Sequence, residues 1–346
     1  MRVNSNFVPR PTLEKRIRTI LSKSPHTCIL QGIGGSGKTE MARHFALSMK
    51  DKCHVFWIDC RTMDAIISDF TKVATILVGE GAGNLNPAAK QALSDRDDWF
   101  MVVDNIDNME DLTYVREHIL PRATSGKLFI TGRVSEVSSI APSGHISMPT
   151  MELESILLLE KHMGSTTESD LVKKKRLVEL LGHLPLAIEQ AGRYIQHTGN
   201  SLERYIMLYS LPSARVDLLG YPPDTKWSQS VLETFEISFN IVSKDAKLLL
   251  YFMAYLGLDE LTDEFIRNCT NYRPVGSTLE LQVNPKFDRG VPLPDEYLEV
   301  LEDQNRCERA LNELTKIALL KRVDWNLIIH PVGASTLLDS NCSPIT

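Results

Sequence analysis

Over the first 150 residues, short apolar runs alternate with stretches of helical period. Thr27–Gln31, His54–Asp59, Trp99–Asp104 and Lys127–Thr131 are continuous apolar or β-branched runs closed by a polar residue, and His145–Met148 is a weaker fifth. Runs of this kind, without strict alternation, are what strands buried on both faces look like. The intervening stretches predict a helix from Lys38 to about Met49 and another ending at about Leu77. Strands interleaved with helices in this way predict an α/β domain built on a parallel sheet.

Beyond Pro149 the period changes. Met151–Gly164, Glu168–Leu181, Pro185–His197 and Ser201–Tyr209 all predict helices with no strand between them, an all-helical domain over residues 151–211. Pro212, Pro222 and Pro223 are expected to mark a linker. Two apolar stripes follow, Val231, Phe235, Phe239 and Val242, then Ala246, Leu249, Leu250, Met253 and Leu256. A proline- and glycine-bearing insert spans about Asn271 to Pro294, and Cys307–Ile317 predicts a further helix. Leu319–Val323 and Leu327–Ile329 predict paired short strands around Asp324-Trp325-Asn326. Helices closed by a small hairpin predict a winged-helix domain over 212–335, leaving 336–346 as a polar tail.

Composition narrows the function classes. With 346 residues, 43% hydrophobic and 24% charged, the chain is ordinary for a globular protein, which excludes a disordered or fibrous reading. A net charge of −6 speaks against nucleic acid as the main partner. The first residues are polar, with no secretory or anchoring apolar core, and the most apolar window, Leu248–Leu258, is too short to span a bilayer. Six cysteines are scattered without CxxC pairs. Cys53, His54 and Cys60 lie close together but lack a second ligand pair for zinc. A reduced, cytoplasmic protein is expected.

The chemistry is carried by one loop. Gly32-Ile33-Gly34-Gly35-Ser36-Gly37-Lys38-Thr39 fills every fixed position of G-x-x-x-x-G-K-[ST], between an expected strand and an expected helix. Chance yields the pattern in roughly one chain in a hundred of this length. Glycines let backbone N–H groups curl around phosphate oxygens, and the helix start adds its positive end. Lys38 offers a point charge to the β- and γ-phosphates, and Thr39 a hydroxyl to Mg²⁺. Asp104, closing the apolar run Phe100–Val103, is the expected magnesium-side carboxylate. Asn105 stands where a vigorous ATPase would carry a second acid, and an amide cannot take a proton as a carboxylate can. Slow hydrolysis is expected, with Asp107 as a substitute base if the loop bends suitably. Arg133, after the fourth strand, either reaches the phosphates or lies solvated at the strand end.

In order along the chain, these motifs resemble the NB-ARC class of STAND nucleotide switches. Phe7-Val8-Pro9-Arg10 is similar to the family's "FVGR" segment, with Pro9 in place of glycine. Asp104-Asn105 is similar to the Asp-Asn of its fungal members, and Thr131-Gly132-Arg133 to the sensor segment whose arginine reads the γ-phosphate. Gly182-His183-Leu184-Pro185-Leu186-Ala187 closely matches "GLPLA", and Ile329-His330-Pro331 takes the place of "MHD". On periodicity alone the GLPLA-like segment is a helix break, Gly182 ending one helix and Pro185 opening the next.

The resemblance implies an α/β P-loop NTPase domain (1–150), an all-helical domain and a winged-helix domain. It implies ADP or ATP with Mg²⁺ as ligands. The implied nucleotide contacts are Phe7, Val8, Arg10, Gly32, Gly34, Gly35, Ser36, Gly37, Lys38, Thr39, Glu40, Arg133, Pro185, Leu186 and His330. Thr39 and Asp104 face the metal, and Lys38, Asp104, Asn105, Asp107 and Arg133 face the hydrolysis step. A closed ADP state, opening and self-association on exchange for ATP, and effector or repeat-containing partner proteins belong to the same implication. Rival readings are a DNA-associated AAA-type ATPase with a winged helix, a small-molecule kinase, and a fragment of a larger receptor without a signalling role. The basic run Lys173-Lys174-Lys175-Arg176 reads as a solvated helix face. Three such domains are expected to use up the length, leaving no room for an effector domain or a repeat array.

Overall fold

A computed structural model describes residues 6–79, 85–121, 126–163, 170–220, 231–232, 239–240, 242–256, 261–262, 295–317, 319–323 and 326–329. His330 and Pro331, the tail 336–346, Phe235, the insert from Asn271 to Pro294, and Pro222 and Pro223 lie outside the described residues.

Five parallel strands form the first sheet: β1 (Thr27–Gln31), β2 (His54–Asp59), β3 (Trp99–Ile106), β4 (Lys127–Gly132) and β5 (His145–Ser147), in the order β2-β3-β4-β1-β5. Successive side chains leave a strand on opposite faces, and the buried residues divide accordingly. Cys28, Leu30, Phe100, Val102 and Phe129 pack under α1 (Pro11–Leu21) and α2 (Lys38–Met49). Ile29, Met101, Val103, Leu128 and Ile130 pack on the other face, under α3 (Met63–Val78), α4 (Leu85–Ser94) and α5 (Met109–Tyr114).

Helices α1, α4 and α5 add to the expected elements. The signal for α1 was present: Pro11 opens the helix, and Leu13, Ile17 and Leu21 recur on one buried face. β3 runs two residues past Asp104, through a bulge between Val103 and Ile106.

The expected helical run is present as α6 (Ser155–Met163), α7 (Leu171–Leu180), α8 (Pro185–Thr198) and α9 (Leu202–Tyr209). Pro212, expected to open a linker, instead opens a fifth helix, α10 (Pro212–Leu219). Proline lacks the N–H that a first helical turn leaves unused, so it starts a helix as readily as it breaks one. Leu218 and Leu219 join the apolar cluster of α6 to α9, and Val8 reaches the same cluster from the N-terminal segment.

A last cluster gathers the helices Lys244–Leu256, Asp295–Glu302 and Gln304–Lys316. Beside them lies an antiparallel sheet in the order β6-β8-β7, from Leu261–Thr262, Asn326–Ile329 and Leu320–Val323. The hairpin falls within a residue of its expected limits. No helix among the described residues is long and apolar enough to cross a membrane.

Candidate nucleotide site

The glycine-rich loop leaves the end of β1 and turns at Gly34 and Gly35 into α2. Gly37, the cap residue of α2, is left-handed at φ 89°. Ser36 Oγ donates to the Ile33 carbonyl at 2.8 Å and braces the turn. The Lys38 ammonium is buried and donates to the carbonyls of Gly32 and Ile33, at 2.7 and 2.9 Å. Burial lowers its pKa to about 8, with Asp107 and Asp104 opposing the fall and Arg133 adding to it.

The next residue, Thr39, donates through Oγ1 to Asp104 Oδ1 at 3.0 Å, so the loop and the end of β3 meet. The Thr131 hydroxyl donates a short hydrogen bond to the same oxygen, and Asn105 Nδ2 donates to Asp104 Oδ2 at 3.1 Å. Asp104 is deeply buried, and burial pushes its carboxyl above the usual range against the opposing pull of the Thr131 and Thr39 hydroxyls. In the sequence Thr131 stands out only as part of a motif, yet its hydroxyl fixes the carboxylate and accepts the Asn105 N–H at 3.0 Å.

Asn105 is left-handed at φ 68°, a conformation asparagine tolerates better than most residues. The bulge brings the Ile106 carbonyl against Gly132, where a Cβ would lie 2.4 Å from that oxygen. The glycine of Thr131-Gly132-Arg133 is therefore required by close approach, and the Arg133 N–H donates to Ile106 O at 3.1 Å.

Arg133 is brought to the same crevice, largely buried, with Nε 3.0 Å from Asp107 Oδ2. Asp107, considered as a base, is thus engaged by the arginine. A contact chain unforeseen in the sequence runs behind it: His145 Nε2 lies 3.1 Å from Gln31 Oε1, and Gln31 Nε2 donates to the Arg133 carbonyl at 3.2 Å.

The GLPLA-like segment sits on the loop. Gly182 and His183 are both left-handed, reversing the chain so that Pro185 opens α8, as its place in the sequence predicted. The Leu186 N–H, in the first turn, donates to the Gly35 carbonyl at 3.2 Å. Gly35 has φ 76°, and a Cβ there would lie 2.9 Å from Leu186 Cβ. Pro185 lies beside Gly37 in the same way, its Cγ 3.9 Å from where a Cβ would stand.

The N-terminal segment lines the seam between α2 and the helical cluster. Phe7 stacks on the His44 ring at 4.5 Å, and its carbonyl accepts from Lys161 Nζ at 2.6 Å. Arg10 is buried and donates through Nη2 to the carbonyls of Pro149 and Thr150, at 2.9 and 2.7 Å. Its Nη1 is buried with no hydrogen-bond partner among the described residues. Glu40, implied as a nucleotide contact, forms an ion pair with Arg43.

Magnesium usually takes one or two protein oxygens and fills its octahedron with phosphate and water. The adjacent Thr39 hydroxyl and Asp104 carboxylate fit that pattern. No cluster of three or more His, Cys, Asp or Glu able to hold a metal occurs among the described residues.

No protein-family model matches the chain. In sequence it is 24% identical, over 362 aligned positions, to a nucleotide-binding leucine-rich repeat (NLR)-like protein of Hyaloscypha variabilis, with 91% of this chain covered. The chain spans 35% of the length of that curated relative. In fold it is similar to a Walker-type ATPase of Pyrococcus abyssi, with a TM-score of 0.57 at 15% identity over 97% of this chain and 98% of that one. A STAND protein with a tetratricopeptide repeat sensor from Pyrococcus horikoshii aligns at a TM-score of 0.40 and 14% identity, covering 97% of this chain and 43% of that one.

Proposed function

Taking the chain as an NB-ARC-type STAND P-loop NTPase, we propose that it is an ADP/ATP-dependent molecular switch with slow hydrolysis. The observation that carries this reading is the meeting of Lys38, Thr39, Asp104 and Arg133 at the carboxyl ends of β1, β3 and β4, under the first turn of α8. Lys38, parked on two carbonyls of its own loop, is placed to exchange them for phosphate oxygens. Thr39 and Asp104 are the residues that would hold Mg²⁺, which supplies charge neutralisation between the phosphates. Asn105 orients Asp104 and offers no base, in keeping with slow turnover. The unpaired Nη1 of Arg10 supports a ligand acceptor in the seam beside Phe7 and Val8, the position proposed for the adenine.

The proposed division is a P-loop domain over 1–150, a helical domain from 151 that α10 extends past residue 211, a winged helix up to 335 and a tail. His330 is proposed to contact the β-phosphate of ADP and close the winged helix on the site. Exchange for ATP acts through its differential affinity for the open and closed states. Self-association of the open form, and an effector or repeat-containing partner, belong to the same reading. The DNA-associated alternative is weaker, because cations on the helix Gln304–Lys316 are already ion-paired, Arg306 with Asp245 and Lys316 with Glu136. The test is ADP release from His330→Ala followed by fluorescent-nucleotide chase. Faster release supports the closing contact, and unchanged kinetics remove His330 from it.

A further inference from the structure

Asp107 and Arg133 bear on which nucleotide the site prefers, a question that rests on the switch reading above. Arg133 Nε lies 3.0 Å from Asp107 Oδ2, with the two side chains 10% and 26% exposed. Both charges act on the buried Lys38 ammonium, the group proposed above to take phosphate oxygens. Asp104 receives the hydroxyls of Thr39 and Thr131, whereas Asp107 receives a guanidinium edge. A guanidinium offers its donors in a fixed planar fork, and an anion approaching the Nε edge must displace or share the one already there.

We propose that Asp107 is a specificity-determining residue: it is the resting counter-ion of Arg133, and a γ-phosphate must compete with it for the guanidinium. A diphosphate leaves the ion pair intact and meets no such competition. Asp107 thereby lowers the preference for ATP over ADP and holds the protein in its diphosphate state, a role distinct from that of a base.

The test is calorimetric titration of the Mg²⁺ complexes of ADP and of a non-hydrolysable ATP analogue. It is run on wild type, Asp107→Asn, Arg133→Gln and the double variant. The asparagine keeps the shape of the side chain and removes its charge. The expected result is a roughly tenfold shift toward the triphosphate in Asp107→Asn, within the usual range of site couplings. The ratio should then be the same in Arg133→Gln and in the double variant, because the effect passes through the guanidinium. An unchanged ratio in Asp107→Asn overturns the proposal, and so does an equal shift in the Arg133→Gln background, which would mark plain charge repulsion. A wild type that binds both nucleotides while the ratio stays fixed overturns this proposal alone. A wild type that binds neither removes the switch reading and this proposal with it.

Discussion

The two helical regions meet the α/β core by different physics. α8 meets the phosphate loop through main chain and apolar contact: Leu186 N–H on Gly35 O, Leu186 against Gly35 where a Cβ has no room, and Pro185 in ordinary contact distance of Gly37. The helix Gln304–Lys316 meets the segment after β4 through an ion pair, Lys316 Nζ to Glu136 Oε1 at 3.0 Å, with the lysine side chain 57% exposed. Burial raises the Glu136 carboxyl, and its hydrogen bonds from Lys316, the backbone and Ser135 more than reverse that, leaving it net lowered. A contact of the first kind buries apolar side chain against the loop and does not depend on salt. An exposed pair contributes at most about 1 kcal/mol and weakens with salt. On the proposed switch reading, the apolar contact is the one expected to persist and the exposed ion pair the one expected to open.

The comparison breaks most severely at Gly35. Gly35→Val forces a β-branched side chain into a left-handed φ and into Leu186, and should weaken nucleotide binding at least a hundredfold, roughly 3 kcal/mol. Equilibrium binding of a fluorescent nucleotide checks it, and near-wild-type affinity would mean that α8 yields freely.

Lys38 gives a pH signature of similar size. In the nucleotide-free protein its pKa is near 8, below the free value of 10.5. Between those values the unfolded chain binds more protons than the folded one, so stability rises with pH through that window. The rise should total about 3 kcal/mol at most and vanish in Lys38→Met. Urea denaturation of both proteins across the window would expose a missing slope.

Thr131→Val removes the hydroxyl that holds Asp104 and should cost about 1–3 kcal/mol, seen as a lower urea midpoint. An unchanged midpoint would show that the Thr39 and Asn105 bonds suffice. At the small end, Lys316→Glu should lower stability by less than about 1 kcal/mol while speeding ADP release. Restoring the pair with Glu136→Lys should return the wild-type rate; failure of that rescue would separate the ion pair from the switch.

Much of this was legible in the sequence, and the gaps have physical causes. β1 matches its expected limits because a buried parallel strand reads as an unbroken apolar run, whereas β2 matches them as an edge strand that buries only Phe56 and Ile58. β3 overruns its limit because the bulge lets Ile106 pair with Gly132 beyond the aspartate, an irregularity no period encodes. Pro212 opens a helix where the sequence predicts a linker, because proline marks a helix start as well as a linker. Lys38, Thr39, Asp104 and Arg133 could be named because their chemistry is tied to residue type. The Leu186 amide could not, since a main-chain contact leaves no trace in side-chain identity. The Asp107–Arg133 pair lay between the two, both residues singled out and the bond between them visible only in three dimensions.

The most direct test of the switch reading is to denature the purified protein and identify by chromatography what it releases, with Lys38→Ala alongside. The predicted result is close to one ADP per chain from wild type and none from the variant. A wild type that releases nothing, and then binds neither added ADP nor added ATP, would contradict it.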